Sequence, residues 1–253
     1  MQAFRARPSD VFGSVVTSWK LLVSLVGREL ASRYKGSVLG ILWSFLIPLF
    51  MLGIYTVVFS GIFKSRWSGT ESDSKANFAL IMFAGLIVFN FFSECINRAP
   101  GVIISNANLA KKVVFPLEIL AWVAVASALF NSLVCLVVMV VAQAILNSFV
   151  PWTLIVFPLV LVPLIFFTVG AVWFLSSLTV FVRDVAQVTG LVTTGLLFLS
   201  AVFFPIGALP QEYRWFVRIN PIALVVEWSR GVLVFGELPS LFEWSLVTVC
   251  GFI

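Results

Sequence analysis

The chain has 253 residues, of which 61% are hydrophobic and 11% charged, and its mean hydropathy is +1.10. A soluble domain carries about 25% charged residues, so this composition excludes one and describes an integral membrane protein. The net charge of +5 does not argue for a nucleic-acid partner, because the basic residues are spread over several loops without a dense patch. There is no histidine, and Cys95, Cys135 and Cys250 lie apart in or beside apolar runs. A disulfide framework, a metal site and a histidine-based triad are therefore unsupported.

In chain order, MQAFRARPSDVF has no apolar core followed by a small-residue cleavage site, so no removal of the N-terminus is expected. Pro8-Ser9-Asp10 offers a helix N-cap, after which Val11, Phe12, Val15, Val16, Trp19, Leu22, Val23, Val26 and Leu30 recur at three- and four-residue steps. Lys20, Ser24 and Arg28 take the other face. Residues 9–32 thus read as an amphipathic helix lying in the membrane interface. Val38 to Phe63, with Pro48 inside it, is the first span, followed by a polar loop from Lys64 to Ala76. Phe78 to Ile96 is the second span and Leu117 to Leu146 the third, each long enough for a hydrocarbon core that takes about 20 residues.

The connection between those two spans, residues 98–118, is longer than a plain loop requires. It has a break at Pro100-Gly101, a helical turn or two at Val102, Ile103, Ile104, Ser105 and Asn106, and Lys111-Lys112 before the chain turns apolar again. A short interfacial helix with a surface to offer a partner fits this pattern. Trp152 to Val182 is the fourth span; Arg183-Asp184 forms a salt-paired reversal into the fifth, Val185 to Phe204. Pro205 to Glu237 mixes Arg214, Arg218, Glu227 and Arg230 with apolar stretches too short to cross, and reads as half-inserted helices broken at Asn220-Pro221 and at Gly236. Leu238 to Ile253 begins a sixth span but rises only about 24 Å, so a further C-terminal tail is expected.

Lys and Arg distribution sets the orientation. Arg5, Arg7, Lys20, Arg28, Arg33, Lys35, Arg98, Lys111, Lys112 and Arg183 fall on one side, against Lys64, Arg66, Lys75, Arg214, Arg218 and Arg230 on the other. The N-terminus, the 98–118 loop and the 183 turn are accordingly cytoplasmic. The chain has no G-x-x-x-x-G-K-[ST], so ATP-driven work needs a separate subunit. Ionisable residues within spans are few, Glu94, Glu118 and Glu243 all lying near ends, which disfavours ion-coupled transport. No inverted repeat and no hydrolase constellation is visible.

Four stretches carry a family resemblance: Tyr34 to Phe63 (YKGSVLGILWSFLIPLFMLGIYTVVFSGIF), Asn106 to Leu120 (NANLAKKVVFPLEIL), Arg183 to Val185, and Phe203 to Gly231 (FFPIGALPQEYRWFVRINPIALVVEWSRG). In that order they resemble the membrane, or permease, subunit of bacterial polysaccharide ABC exporters, which move O-antigen, teichoic acid and related capsule chains. The resemblance implies an all-α polytopic protein of the inner (cytoplasmic) membrane, residues 1–253 forming one permease domain with six transmembrane helices. It implies a homodimer that binds no cofactor itself and pairs with two copies of an ATP-binding ABC subunit carrying ATP and Mg. A lipid-linked polysaccharide would then pass between the two copies, with no covalent chemistry on this chain. It makes 9–32 an interfacial helix, places ATPase coupling on Val102, Ile103, Ile104, Asn106 and Asn108 within 98–118, and makes 205–237 extracytoplasmic re-entrant gate helices.

On the first span Phe45, Leu52, Tyr55, Phe59 and Phe63 fall within about 80° of a helical wheel, while Trp43 and Phe50 lie opposite. Aromatic rings can hold a sugar face without fixing its register, and they also simply pack. Phe45, Tyr55, Phe59 and Phe63 are the candidate substrate pathway. Arg33 and Lys35 at the start of the span either anchor it or attract a lipid pyrophosphate headgroup. Two other readings stay open: an ABC permease for a small hydrophobic compound or drug, and a membrane-embedded lipid-sugar transferase, for which Glu118 with Asp184 is poor support.

Overall fold

The computed structural model describes residues 17–58, 75–107, 116–147 and 150–252. Among these the ordered elements are all helical: α1 (Trp19–Tyr34), α2 (Trp43–Tyr55) after a 3-10 turn, α3 (Lys75–Ile104), α4 (Glu118–Asn147), α5 (Phe157–Phe181), α6 (Val185–Leu199), α7 (Gln211–Ile219), α8 (Pro221–Arg230) and α9 (Leu241–Phe252). By length and apolarity, Gly40–Val58, Phe78–Ile104, Glu118–Leu146 and Trp152–Phe181 can each cross a membrane. α6 and α9 are apolar but shorter. The N-cap expected at Ser9 lies outside the described residues.

The bundle is organised around α3, which packs on α4, α5, α6 and α8. Phe78 to Phe89 is an unbroken buried run, so this helix reads apolar all round because it is surrounded on all sides. α2 makes the opposite case. Only Ser44, Pro48 and Leu52 are buried along it, a four-residue stripe, and most of its remaining apolar surface is exposed. α1 lies on the start of α4, with Leu22 and Leu25 buried against Ile119 and Val123. Trp19 remains 59% exposed on the same helix.

Two expectations need correction. The chain does not break at Pro100-Gly101: α3 continues through Pro100 to Ile104, so Val102, Ile103 and Ile104 are its last turn and not a separate interfacial helix. Pro100 withholds one backbone hydrogen bond, which long buried helices tolerate when neighbouring helices pack the site; Ala99 and Val102 are buried on either side of it. Nor is the 183 turn salt-paired, since among the described residues no ion pair joins Arg183 to Asp184. Asp184 caps α6 through its carbonyl, which accepts from the Gln187 and Val188 N–H groups at 3.0 and 3.3 Å.

Prolines explain the packing of α9. Pro163 inside α5 has no N–H for the Leu159 carbonyl one turn earlier, and the Trp244 indole Nε1–H of α9 donates to that carbonyl at 3.0 Å. Further along, Gly251 approaches so closely that an added Cβ would lie 2.9 Å from the Pro163 oxygen. Trp244→Phe keeps an aromatic ring, smaller than the indole, and removes the donor. It should lower stability by about 1 kcal/mol, read as a reduced thermal midpoint of the detergent-solubilised protein.

Candidate functional site

The end of the bundle where α3 finishes and α4 begins holds a set of polar side chains from four helices. Glu29 and Arg33 stand one turn apart on α1, 3.7 Å between charged atoms. Arg33 Nη2 lies 2.5 Å from Glu94 Oε1 of α3, Arg98 one turn on is 3.5 Å from the same oxygen, and Arg98 also pairs with Glu29. Asn131 of α4 donates to both Glu94 oxygens at 3.1 and 2.9 Å. On the adjoining face Asn97 Nδ2 donates to Ser93 Oγ at 3.1 Å, and its Oδ1 accepts from Thr193 Oγ1 of α6 at 3.1 Å. These side chains join α1 to α3 and α4, and α3 to α6.

The geometry suits a mechanical joint. Two carboxylates and two guanidinium groups would be costly singly among apolar helices, and shared hydrogen bonding offsets that cost. Arg33, Glu94, Arg98 and Glu29 keep between 22 and 31% of their side chains exposed, so water still screens the pairs. Beside them opens a cleft of about 590 Å³ lined by Arg28, Glu29, Asn97, Arg98, Ser105 and Asn106, among others. Its apolar floor includes Leu25, Val102 and Val123.

The expected coupling residues divide around this cleft. Val102 is buried, and Asn106 Nδ2 folds back to donate to the Val102 carbonyl at 2.9 Å. Ile103 is half-buried, and Ile104 is 51% exposed at the tip of α3. Asn108, Lys111 and Lys112 lie outside the described residues. Arg33 is engaged with Glu94, whereas Lys35 is exposed at the C-terminal cap of α1. On α2, Phe45 is exposed, Leu52 buried and Tyr55 half-buried against the core. Phe59 and Phe63 fall outside the described residues.

A second polar joint lies at the opposite end of α3. Arg230 at the end of α8 is 1% exposed. Its guanidinium donates from Nε to the Ile81 carbonyl at 3.3 Å, from Nη2 to the Val202 carbonyl at 2.5 Å and from Nη1 to Glu227 Oε2 at 3.2 Å. Gly85 makes room, since a Cβ there would sit 3.1 Å from both Arg230 Nη2 and Val226 Cγ1. Ala201, buried with φ +53°, takes the left-handed backbone that costs a non-glycine residue about 1–2 kcal/mol, directly before the Val202 carbonyl that accepts from Arg230. Asn220 separates α7 from α8, as the sequence predicts, and its Oδ1 accepts from the Ile222 N–H at 3.0 Å.

Sequence reasoning missed both joints. Their signals were present but local: opposite charges four apart at Glu29 and Arg33, and Glu94-Asn97-Arg98 inside an apolar helix. Neither reveals its partner.

The model of the ABC-2 type transporter family matches residues 20–234, which takes in every helix just described except α9. The chain belongs to the ABC-2 type transporter family. This ABC-2 protein is 28% identical over 221 residues to the O-antigen export system permease protein RfbA of Myxococcus xanthus, covering 87% of this chain and 82% of that one. It is 25% identical over 241 residues to an RfbA of Klebsiella pneumoniae, covering 92% and 87%. To the polysialic acid transport protein KpsM of Escherichia coli it is 26% identical over 242 residues, covering 88% and 86%. An ABC-2 transport subunit with several apolar helices of spanning length is a multi-pass membrane protein.

Proposed function

We propose that this chain is the permease of an ATP-driven exporter that carries a lipid-linked polysaccharide out of the cytoplasm across the inner membrane. The observation that carries the reading is the end-to-end similarity to permeases named for O-antigen export, over 87% and 92% of this chain, with a polysialic acid transport protein alongside them. In this reading two copies act together with two copies of an ATP-binding subunit, which bind and hydrolyse ATP with Mg while this chain performs no covalent step. α6 and α9 complete six spans, the N-terminus is cytoplasmic, and α7 and α8 form the extracytoplasmic gate. The exposed tip of α3 at Ile104 meets the ATPase, and the joint around Glu94 passes its motion to the interfacial helix. Lys35 meets the lipid-linked substrate at the membrane surface.

Loss of the gene should abolish the surface polysaccharide and leave lipid-linked chains inside the membrane, and re-expression should restore export. A surface glycan unchanged by the deletion would overturn the reading. Ile104→Glu tests the coupling surface. It places a charge on an exposed position, so folding and insertion should persist while co-purification with the ATPase falls about tenfold, the cost of one desolvated, unpaired charge at a contact.

A further inference from the structure

The first half of α3's spanning segment is buried throughout, and exposure begins near its middle. From Phe78 to Phe92 the exposed residue is Asn90, near the centre of the spanning segment Phe78–Ile104. It forms no hydrogen bond among the described residues. One and two further turns toward the cytoplasmic end come half-buried Ser93 and exposed Asn97, and Ile104 follows at the tip; steps of three, four and seven place all of them on one face. Asn97 is held in place on that face by Ser93 and Thr193. In the other direction the same face carries Phe83, Leu86 and Ile87, all at most 4% exposed.

An amide facing hydrocarbon leaves its donors and acceptor unsatisfied, a cost of several kcal/mol. The exposed face of α3 is therefore suited to water or to a hydroxyl-rich solute. Amides both donate and accept, so they suit sugar hydroxyls in many orientations and permit a chain to slide. We propose that Asn90, Ser93 and Asn97 line a hydrated vestibule that takes the glycan chain through the cytoplasmic half of the membrane, ending at the apolar closure above Asn90. This deepens the export reading and rests on it for the identity of the cargo. The path then runs along α3, in addition to or in place of the aromatic face of α2.

The test uses the permease–ATPase complex in inverted membrane vesicles, with Cys95, Cys135 and Cys250 replaced by serine. Asn90→Cys should react with a charged methanethiosulfonate at least about tenfold faster than Leu133→Cys, an exposed apolar position on α4, because the reagent travels in water and not in hydrocarbon. Asn90→Leu should cut surface polysaccharide severalfold with the complex still assembled, and Asn90→Gln should restore it. Equal slow labelling at both positions overturns the proposal. So does an Asn90→Cys variant that crosslinks to a second copy yet resists the reagent, which would make Asn90 a dimer contact. Labelling does not depend on the cargo, so a failed vestibule is distinguishable from a failed export reading: the first leaves the gene-deletion result intact.

Discussion

Arg230→Met should destabilise the protein by about 3 kcal/mol, the scale for losing charge-assisted hydrogen bonds and leaving buried carbonyls without a donor. The guanidinium is 1% exposed and reaches two backbone carbonyls and one carboxylate on diverging lines. Methionine fills part of the volume and satisfies none of them. The Val202 carbonyl is left buried on a left-handed turn, and α8 loses its tie to α3 while Glu227, 43% exposed, can turn to water. Arg230→Lys should rescue less than half of the loss, because an ammonium on a flexible stem cannot span three diverging acceptors as a planar fork does. Thermal unfolding in detergent measures the effect. A midpoint unchanged in Arg230→Met would mean that α8 is held by apolar packing alone.

Removing the carboxylate at the other joint should cost somewhat less. Glu94→Ala takes a shared acceptor from Arg33, Arg98 and Asn131 and leaves Arg33 and Arg98 close together with Glu29 as their remaining counter-charge. A fully buried pair would cost about 3–5 kcal/mol when broken; the partial exposure of these groups reduces the expected loss to about 2 kcal/mol. Glu94→Gln retains an acceptor for Asn131 and should recover part of that. The informative measurement is a double-mutant cycle with Arg33→Ala. Coupling of about 1 kcal/mol is expected for residues in one network, and additive losses would show that α1 is held by Leu22 and Leu25 without help from the charges. If the joint transmits motion, Glu94→Gln should lower export more than it lowers ATP hydrolysis.

Much of the fold was legible because its signals are local. The long apolar runs mark α2 to α5, and the Asn220-Pro221 pair marks the break between α7 and α8, where proline starts a helix and asparagine caps it. Pro100-Gly101 carries the same kind of signal and was misleading. There the packing of Ala99 and Val102 against neighbouring helices outweighed a local preference, and α3 ran on for another turn. The wheel drawn on α2 grouped Leu52 and Tyr55 with Phe45, but a wheel has no partner helix in it; the structure turns Leu52 and Tyr55 to the core and leaves Phe45 exposed.

The sequence by itself determined that the chain is a membrane protein of apolar helices and where its long apolar runs begin and end. Those properties follow from composition and short-range spacing, which need no knowledge of neighbours. Only the tertiary structure decided that Arg33 meets Glu94 across 61 positions of chain, that Arg230 reaches Ile81 across 149, and that Asn90 and Asn97 stay exposed on an otherwise largely buried helix. A charge or an amide at a membrane helix is costly until a partner or water reaches it, and which of these it meets depends on how distant helices pack, which no local pattern encodes.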